Sequence, residues 1–415
     1  MYCEVALSKP IQWAAESSNK AAPRSRLDES DREFSAGYRV RVTTRAGRDE
    51  LTDWDRLVDR VPLSDVAQLS AWSEVRAAAG FTPLHVFVHH ADVLVGGVQV
   101  LTRRVPVVGS LGYASGGPVV ADGRDDRAAV VTVLSSAMSR LLRGGIRLLF
   151  VQPPASADDV SVALIERGFR HSHAGIAPAA TLRIDLNADE KELKERLHNR
   201  LRTKSNRWAD NGVVVRVGGD GDLPLLADLV ERSAAFQGYE PLSFDYLKLL
   251  YAALARTGNA VLFVGEVQGT PVVVELCTSC GGVLRERLIG FDRDSAASKL
   301  NVPAALTWHA MLWAKKQGMR WFDFGGIRIE NAEALLAGRS LDEATAGGSD
   351  FFKISFGGDP FLMPAAVEDA WPRQALWLYD LSQRSERGRA MVKTLKRRLR
   401  GGQRSREAIA KLADL

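Results

Sequence analysis

Apolar and polar residues switch between two rhythms along this chain. Val40-Arg-Val42 alternates as a strand does, Leu51–Arg60 reads as a short helix, and Leu69–Ala79 as a second helix with Ser70 as its cap and Trp72 and Val75 on one face. Leu84–His89 and Val93–Thr102 pair as strands turned at Ala91-Asp92. A strand from Leu111 runs into the glycine-rich Tyr113-Ala-Ser-Gly-Gly-Pro-Val119, followed by a helix over Asp126–Arg143, a strand over Arg147–Val151 and a helix over Val160–Gly168. The order then repeats. Thr181–Leu186 is a strand, Ala188–Asn211 one long basic helix, Val213–Val217 a strand, and Leu223–Phe236 and Phe244–Arg256 are helices. Ala260–Val267 and Thr270–Thr278 form a hairpin around Gln268-Gly269, then come the strand Val283–Ile289, the helix Pro303–Gln317 and the strand Arg320–Phe324. Each half thus reads as two helices, a meander of strands, a crossover helix and a further strand. That order predicts an α+β fold of two similar domains, each a mixed, mostly antiparallel sheet flanked by helices. The boundaries fall at 37–180 and 181–360. Residues 1–36 read as a disordered extension, and 361–415 as a basic helical segment with Met391, Leu395 and Leu399 on one face, packing back on the first domain. Residues 331–349 read as a polar loop.

Composition adds limits. With 46% apolar and 25% charged residues the chain can bury sizeable cores, and its net charge of +5 says little by itself. The distribution says more: eleven Lys/Arg face two acidic residues between Arg384 and Lys411, and eight Lys/Arg lie between Lys191 and Arg216. Such clusters suit a polyanion or a solvated helix face. The first residues lack the pattern of a signal peptide, and no apolar run is long enough to cross a membrane, so no integral membrane contact is expected. Three cysteines make no disulfide framework, which points to a reducing cytoplasm, and Cys277 and Cys280 read as buried strand residues; no metal site is expected.

Chemistry concentrates near the end of the second half. Trp321-Phe-Asp-Phe-Gly-Gly326 places small residues where backbone must pass close to something, and Phe351-Phe352-Lys353 with Phe356 sets a lysine among phenylalanines. Such a cation either lays its stem on the rings with its ammonium in water, or meets a negative or polar partner. Asp323 is the best candidate carboxylate: it can orient an amine or take its proton, or it can brace the Gly325-Gly326 turn. His85, His89, His90, His309 and Cys277 lack partners in the sequence that would make them nucleophiles or bases.

The chain resembles the FemABX non-ribosomal peptidyl transferases, which are built from two domains of the GNAT acyltransferase type. The likeness runs from about residue 40 to 360 through Gln68-Leu-Ser-Ala-Trp72 with Arg76 and Gly80-Phe81, then Tyr113-Ala-Ser-Gly-Gly-Pro-Val119, Gly168-Phe169 and Thr181-Leu-Arg-Ile-Asp-Leu186. It continues through Asn199-Arg-Leu-Arg-Thr-Lys-Ser-Asn206, Gly318-Met-Arg-Trp-Phe-Asp-Phe-Gly-Gly326 and Phe352-Lys353. The resemblance implies transfer of an aminoacyl group from charged tRNA to an amine, usually on a peptidoglycan precursor, forming an amide bond with aminoacyl-tRNA as co-substrate and no cofactor. It implies that Lys353 steadies the tRNA-borne ester, that Phe352 packs on the terminal adenosine, and that Arg76 holds an anionic acceptor. Trp72, Tyr113, Ser115, Gly117, Gly325, Gly326 and Arg328 would line the substrates. Lys204, Arg207, Arg397 and Arg398 would follow the tRNA backbone. A monomer is expected.

Three positions depart from the family pattern. A second basic residue that would grip a diphosphate is absent near Tyr239-Glu-Pro-Leu242, Gly116 stands where a basic residue is common, and Gln152 replaces an acid. A different acceptor, including a small-metabolite or natural-product amine, fits these changes. Two rival readings remain. One is an acyl-CoA N-acyltransferase, although Ser298-Lys-Leu-Asn-Val-Pro303 has no glycine where a pyrophosphate loop would present its N–H groups. The other is a non-catalytic RNA-binding protein, although aromatic residues are scarce in both basic stretches.

Overall fold

The protein is described from a computed structural model covering residues 30–34, 37–105, 109–238, 241–384 and 386. Two mixed sheets organise it. The first contains β1 (Ser30–Phe34), β2 (Tyr38–Thr43), β3 (Thr82–His90), β4 (Val93–Val105), β5 (Gly109–Ser115), β6 (Val119–Val120), β7 (Ile146–Gln152) and β8 (Arg170–His171). The second contains β9 (Ala180–Asp185), β10 (Val213–Gly218), β11 (Ala260–Val267), β12 (Thr270–Cys280), β13 (Val283–Phe291), β14 (Trp321–Gly326) and β15 (Asp359–Leu362). One late strand, β16 (Val367–Ala370), returns to the first sheet. The orders are β1-β2-β3-β4-β5-β7-β16-β8, with β6 on β4, and β10-β11-β12-β13-β14-β9-β15.

Both halves follow one plan. A strand leads into two helices (Arg48–Arg60 and Ser70–Ala77; Leu223–Gln237 and Phe244–Ala255), then an antiparallel meander. A crossover helix (Arg127–Gly144; Val302–Lys316) then sets the next strand parallel to the last of the meander. Tight turns fix the meanders: Ala91-Asp92 and Gln268-Gly269 all take positive φ, the two-residue geometry whose twist matches that of the strands it joins. The α+β reading of two similar units, each a mixed sheet flanked by helices, stands.

Each sheet has its own core under its crossover helix. Val86, Val98, Leu134, Met138 and Leu149 anchor the first, and Phe263, Val273, Leu306, Met311 and Phe322 the second. A third core joins the halves, with Trp54, Val58, Val75 and Phe87 packed among Leu226, Leu247, Leu254, Val274 and Leu276. Burying these side chains, at roughly 1.5–3 kcal/mol each, ties the halves into one body.

Several expectations change. Residues 30–34, placed in the disordered extension, form an edge strand paired with β2 through backbone bonds that need no apolar pattern. The single basic helix is two, Glu190–Arg196 and Asn199–Ser205, because Leu197 and His198 are extended and the His198 amide donates to the Ser355 carbonyl. Leu69, not Ser70, caps the helix Ser70–Ala77; the Ser70 amide and hydroxyl donate to Asp55. Residues 331–349 hold helical turns at Ile329–Leu336 and Glu343–Ala346 instead of a plain loop. β15, which contains Pro360, and β16 come before the helix Gln374–Arg384, so the segment is not helical from its start. Met391, Leu395 and Leu399 lie outside the described residues.

Candidate active site

Parallel pairing treats the two halves differently. β5 and β7 stay paired from Ser110 to Ser115. β13 and β14 pair only over Val283–Arg285 against Trp321–Asp323 and then part. Beyond that point Glu286 and Arg287 on one strand and Gly325 and Gly326 on the other border a cleft of about 1020 Å³. Its opposite wall comes from the first half: Asp65, Trp72, Arg76, Phe81, Tyr113, Ser115 and Gln152.

Asp323 sits at the parting point with 0% exposure. One oxygen accepts from the Thr181 hydroxyl at 2.5 Å and the Gly325 amide at 2.7 Å; the other accepts from Arg183 at 2.9 Å and Arg285 at 3.2 Å. Burial would raise its pKa, but Arg285 and then Arg183 overcome this and hold it at about 2. With its lone pairs taken and its basicity gone, Asp323 braces the turn rather than serving as a base. The turn needs Gly325, whose φ is +73°. Next to it the Gly326 carbonyl accepts a 2.7 Å hydrogen bond from Lys353 Nζ. Lys353 comes from the helix Gly348–Ile354, anchored by Phe356, which packs on Phe324 at 5.0 Å between ring centroids.

Three arginines approach the cleft from two elements. Arg285 is paired with Asp65 and Asp323. Arg76, 6% exposed, donates to the Tyr246 hydroxyl at 3.4 Å and lies 4.9 Å from the Phe81 ring centre. Arg287 lies 4.8 Å from the Trp72 ring centre and makes no hydrogen bond or ion pair with a described residue. Burial, then Arg285, push its pKa down to about 10, still a cation at neutral pH. Tyr113 meets Phe81 edge-on at 5.2 Å, and burial pushes its hydroxyl pKa up. The cleft therefore joins an aromatic-walled cationic pocket to a backbone-held ammonium.

Residues 195–334 match the model of an acetyltransferase (GNAT) domain. The lipid II:glycine glycyltransferase of Staphylococcus saprophyticus is 25% identical over 233 residues, 54% of this chain and 56% of that protein. That of Staphylococcus epidermidis is 25% identical over 230 residues, 53% and 55% of the two chains. The chain thus spans a little over half the length of the curated relatives it matches. The crystal structure of FemX superposes with a TM-score of 0.68 at 17% identity, covering 79% of this chain and 97% of that one. The chain is similar to FemABX proteins in sequence and in fold.

Against the FemABX expectations, Trp72, Arg76, Tyr113, Ser115, Gly325 and Gly326 line the cleft together. Lys353 reaches its edge through the Gly326 carbonyl. Three residues do other work. Gly117 is not among the lining residues; it leaves room for Gln68, whose amide group a Cβ at that position would meet at 2.6 Å. The Arg328 guanidinium donates to the carbonyls of Thr345 and Ala346 and lies 3.6 Å from Asp350, so it braces the Gly348–Ile354 helix instead of facing the cleft. Phe352 packs partly against the second core, 5.4 Å from the Phe356 ring, and does not line the cleft. Lys204 donates to the Lys299 carbonyl at 3.4 Å, and Arg207 is exposed just beyond; both lie on the outside of the second half. Arg397, Arg398, Tyr239 and Glu240 lie outside the described residues. His85 is a buried partner of Gln99, with its pKa pushed down to about 4 by burial. Cys277 and Cys280 are buried in β12. Among the described residues no group of three His, Cys, Asp or Glu could hold a metal, and no helix is long and apolar enough to cross a membrane. Arg285, Glu286, Arg287 and Tyr246 were not singled out from sequence. The available signal was Arg-Glu-Arg inside the apolar run Val283-Leu-Arg-Glu-Arg-Leu-Ile289, where three consecutive charges would be costly without a task.

Proposed function

We propose that this protein moves an aminoacyl group from charged tRNA to an amine of a peptidoglycan precursor, forming an amide bond. The observation that carries the reading is the Lys353 ammonium fixed 2.7 Å from the Gly326 carbonyl, beside the gap where β13 and β14 part. The gap offers a slot for an acyl carrier in the second half alone; in the first, β5 and β7 close it. Attack by an amine on an ester puts negative charge on the carbonyl oxygen, and a pre-positioned cation in a partly dry site stabilises it. Holding both substrates in one cleft supplies much of the remaining acceleration. Arg76 and Arg287 would bind an anionic group of the acceptor, with Arg287 replacing the basic residue missing near positions 239–242. The relatives' names, lipid II:glycine glycyltransferase, support an acceptor of this class.

A second reading has its own support: the GNAT model match over 195–334 fits an acyl-CoA donor in the same slot. Against it, the segment before the helix Val302–Lys316 has no glycine where a pyrophosphate loop would present its N–H groups. The deciding experiment offers labelled aminoacyl-tRNA or labelled acetyl-CoA with a lysine-containing muropeptide, with and without ribonuclease. Ribonuclease-sensitive transfer is expected; ribonuclease-resistant transfer from the coenzyme would replace the tRNA reading. Lys353→Met should lower turnover about 10²–10³-fold, the usual cost of losing one oxyanion-stabilising group.

A further inference from the structure

We propose that Glu286 is the group that takes the proton from the acceptor's ammonium, making the amine a nucleophile. The inference rests on the amide-forming reading but not on which carrier brings the acyl group. Glu286 is the first residue of β13 beyond the last pair with β14, so its side chain stands where the strands open, and it lines the cleft. Its Oε2 is buried without a hydrogen-bond partner. That is costly for a structural carboxylate and apt for one awaiting a donor. Asp323, on the facing strand, is the opposite case, satisfied by four donors.

The charged surroundings agree. Burial raises Glu286 to about 7, Lys353 from the helix Gly348–Ile354 opposes the rise, and Asp323 adds to it. From β12, the buried Glu275 is itself pushed well up by burial and by Glu286; Cys277 and Thr307 donate to it. Arg285 and Arg287 flank Glu286 on β13, and Arg285 is already paired with Asp65 and Asp323. A carboxylate near neutrality is matched to accept a proton at working pH.

The step balances simply. The ammonium gives one proton to the Glu286 carboxylate. The free amine's electron pair forms the C–N bond at the acyl carbon. As the intermediate collapses, the bond to the carrier oxygen or sulfur breaks, and one of the two protons left on the attacking nitrogen passes to that leaving atom while the other stays on the amide. Glu286 then returns its proton to water.

The test measures kcat/KM against pH for the wild type and Glu286→Gln, with glycyl-tRNA and with acetyl-CoA as donor. Acceptors are a lysine-containing muropeptide and hydroxylamine, whose nitrogen is already unprotonated at neutral pH. With the peptide, the wild-type rate should rise through an apparent pKa near 7, and Glu286→Gln should lose about 10²-fold or more at neutral pH. With hydroxylamine, the variant should recover to within a few-fold of wild type. The wild type also carries a test without any variant: its limb near neutrality should vanish with hydroxylamine. A limb that persists there, or a variant equally poor with both acceptors, overturns the assignment. Transfer from acetyl-CoA alone would sink the tRNA reading while leaving the proton assignment decided on that donor. No transfer from either donor overturns both.

Discussion

Asp323 and Glu286 are both carboxylates at the parting of β13 and β14, and their surroundings push them in opposite directions. Asp323 is held ionised by Arg285 and Arg183 against its burial, so its stabilising contribution is present above the unfolded pKa near 3.8 and lost as pH falls through about 2. Asp323→Asn should therefore cost about 3–5 kcal/mol near neutral pH, because it strands the buried Arg183, while Arg285 keeps Asp65. In thermal melts its gap to wild type should stay level above about pH 5 and shrink in acid. Glu286 has the reverse sign. Its folded pKa is raised, so the folded chain binds more protons than the unfolded one between about 4.5 and about 7, and stability falls as pH rises through that window. Glu286→Gln should melt higher than wild type at pH 8, by an amount on the order of 1 kcal/mol, and the advantage should vanish below pH 4. A variant that is more stable yet slower is what a functional carboxylate predicts. Arg287→Ala belongs to the same scale. On the proposed acceptor role, removing this cation should raise the acceptor KM about 10-fold or more while kcat changes little; an unchanged KM would remove Arg287 from the acceptor site. The motif Asp-Phe-Gly-Gly made Asp323 visible in the sequence, but only three-dimensional neighbours distinguish a brace from a base. Glu286 was hidden for the same reason, since its task depends on where pairing with β14 stops.

At the scale of elements, the strand order was largely legible. Alternation and turn residues located both meanders and both crossover helices, because a period of two and a period of 3.6 leave different patterns. Register was not legible. Nothing in Val283–Arg285 announces that pairing ends there, whereas β5 and β7 run together to Ser115 and Gln152. That difference makes the two halves unequal despite their common plan, and it yields a direct test. A donor carrying a photoreactive acyl group should cross-link to β13, β14 or the helix Gly348–Ile354, and not to β5 or β7. Labelling of β5 or β7 would mean that the gap is not the donor slot. The split of the basic helix at Leu197-His198 was likewise invisible. It depends on the His198 amide meeting the Ser355 carbonyl across the second half, and places the helix carrying Lys353 against both short helices.

The whole molecule is closed by its last described strand. β16 enters the first sheet between β7 and β8, where Glu368 is 2% exposed and accepts from Arg170 and the Ser172 hydroxyl. Arg170 also meets Asp380 on the helix Gln374–Arg384, whose Ala375 and Tyr379 line the cleft. The chain thus leaves the second half, completes the first and helps wall the site between them. Beyond this helix the sequence is strongly basic, with ten Lys/Arg from Arg387 to Lys411. Two truncations separate these roles. A chain ending after Leu362 loses β16 and should not fold its first half, because the β7 edge and Arg170 lose their partners. A chain ending after Ser385 keeps every contact named above and should fold. Its affinity for aminoacyl-tRNA should nevertheless drop, and the plot of log K against log salt should flatten, since each phosphate contact removed takes about 0.7–0.9 from the slope. Cavity-wall residues are untouched by this cut, so turnover at saturating donor should be kept. An unchanged salt slope would show that the tail does not meet the donor and would leave the basic helices around Lys204 and Arg207 to carry it.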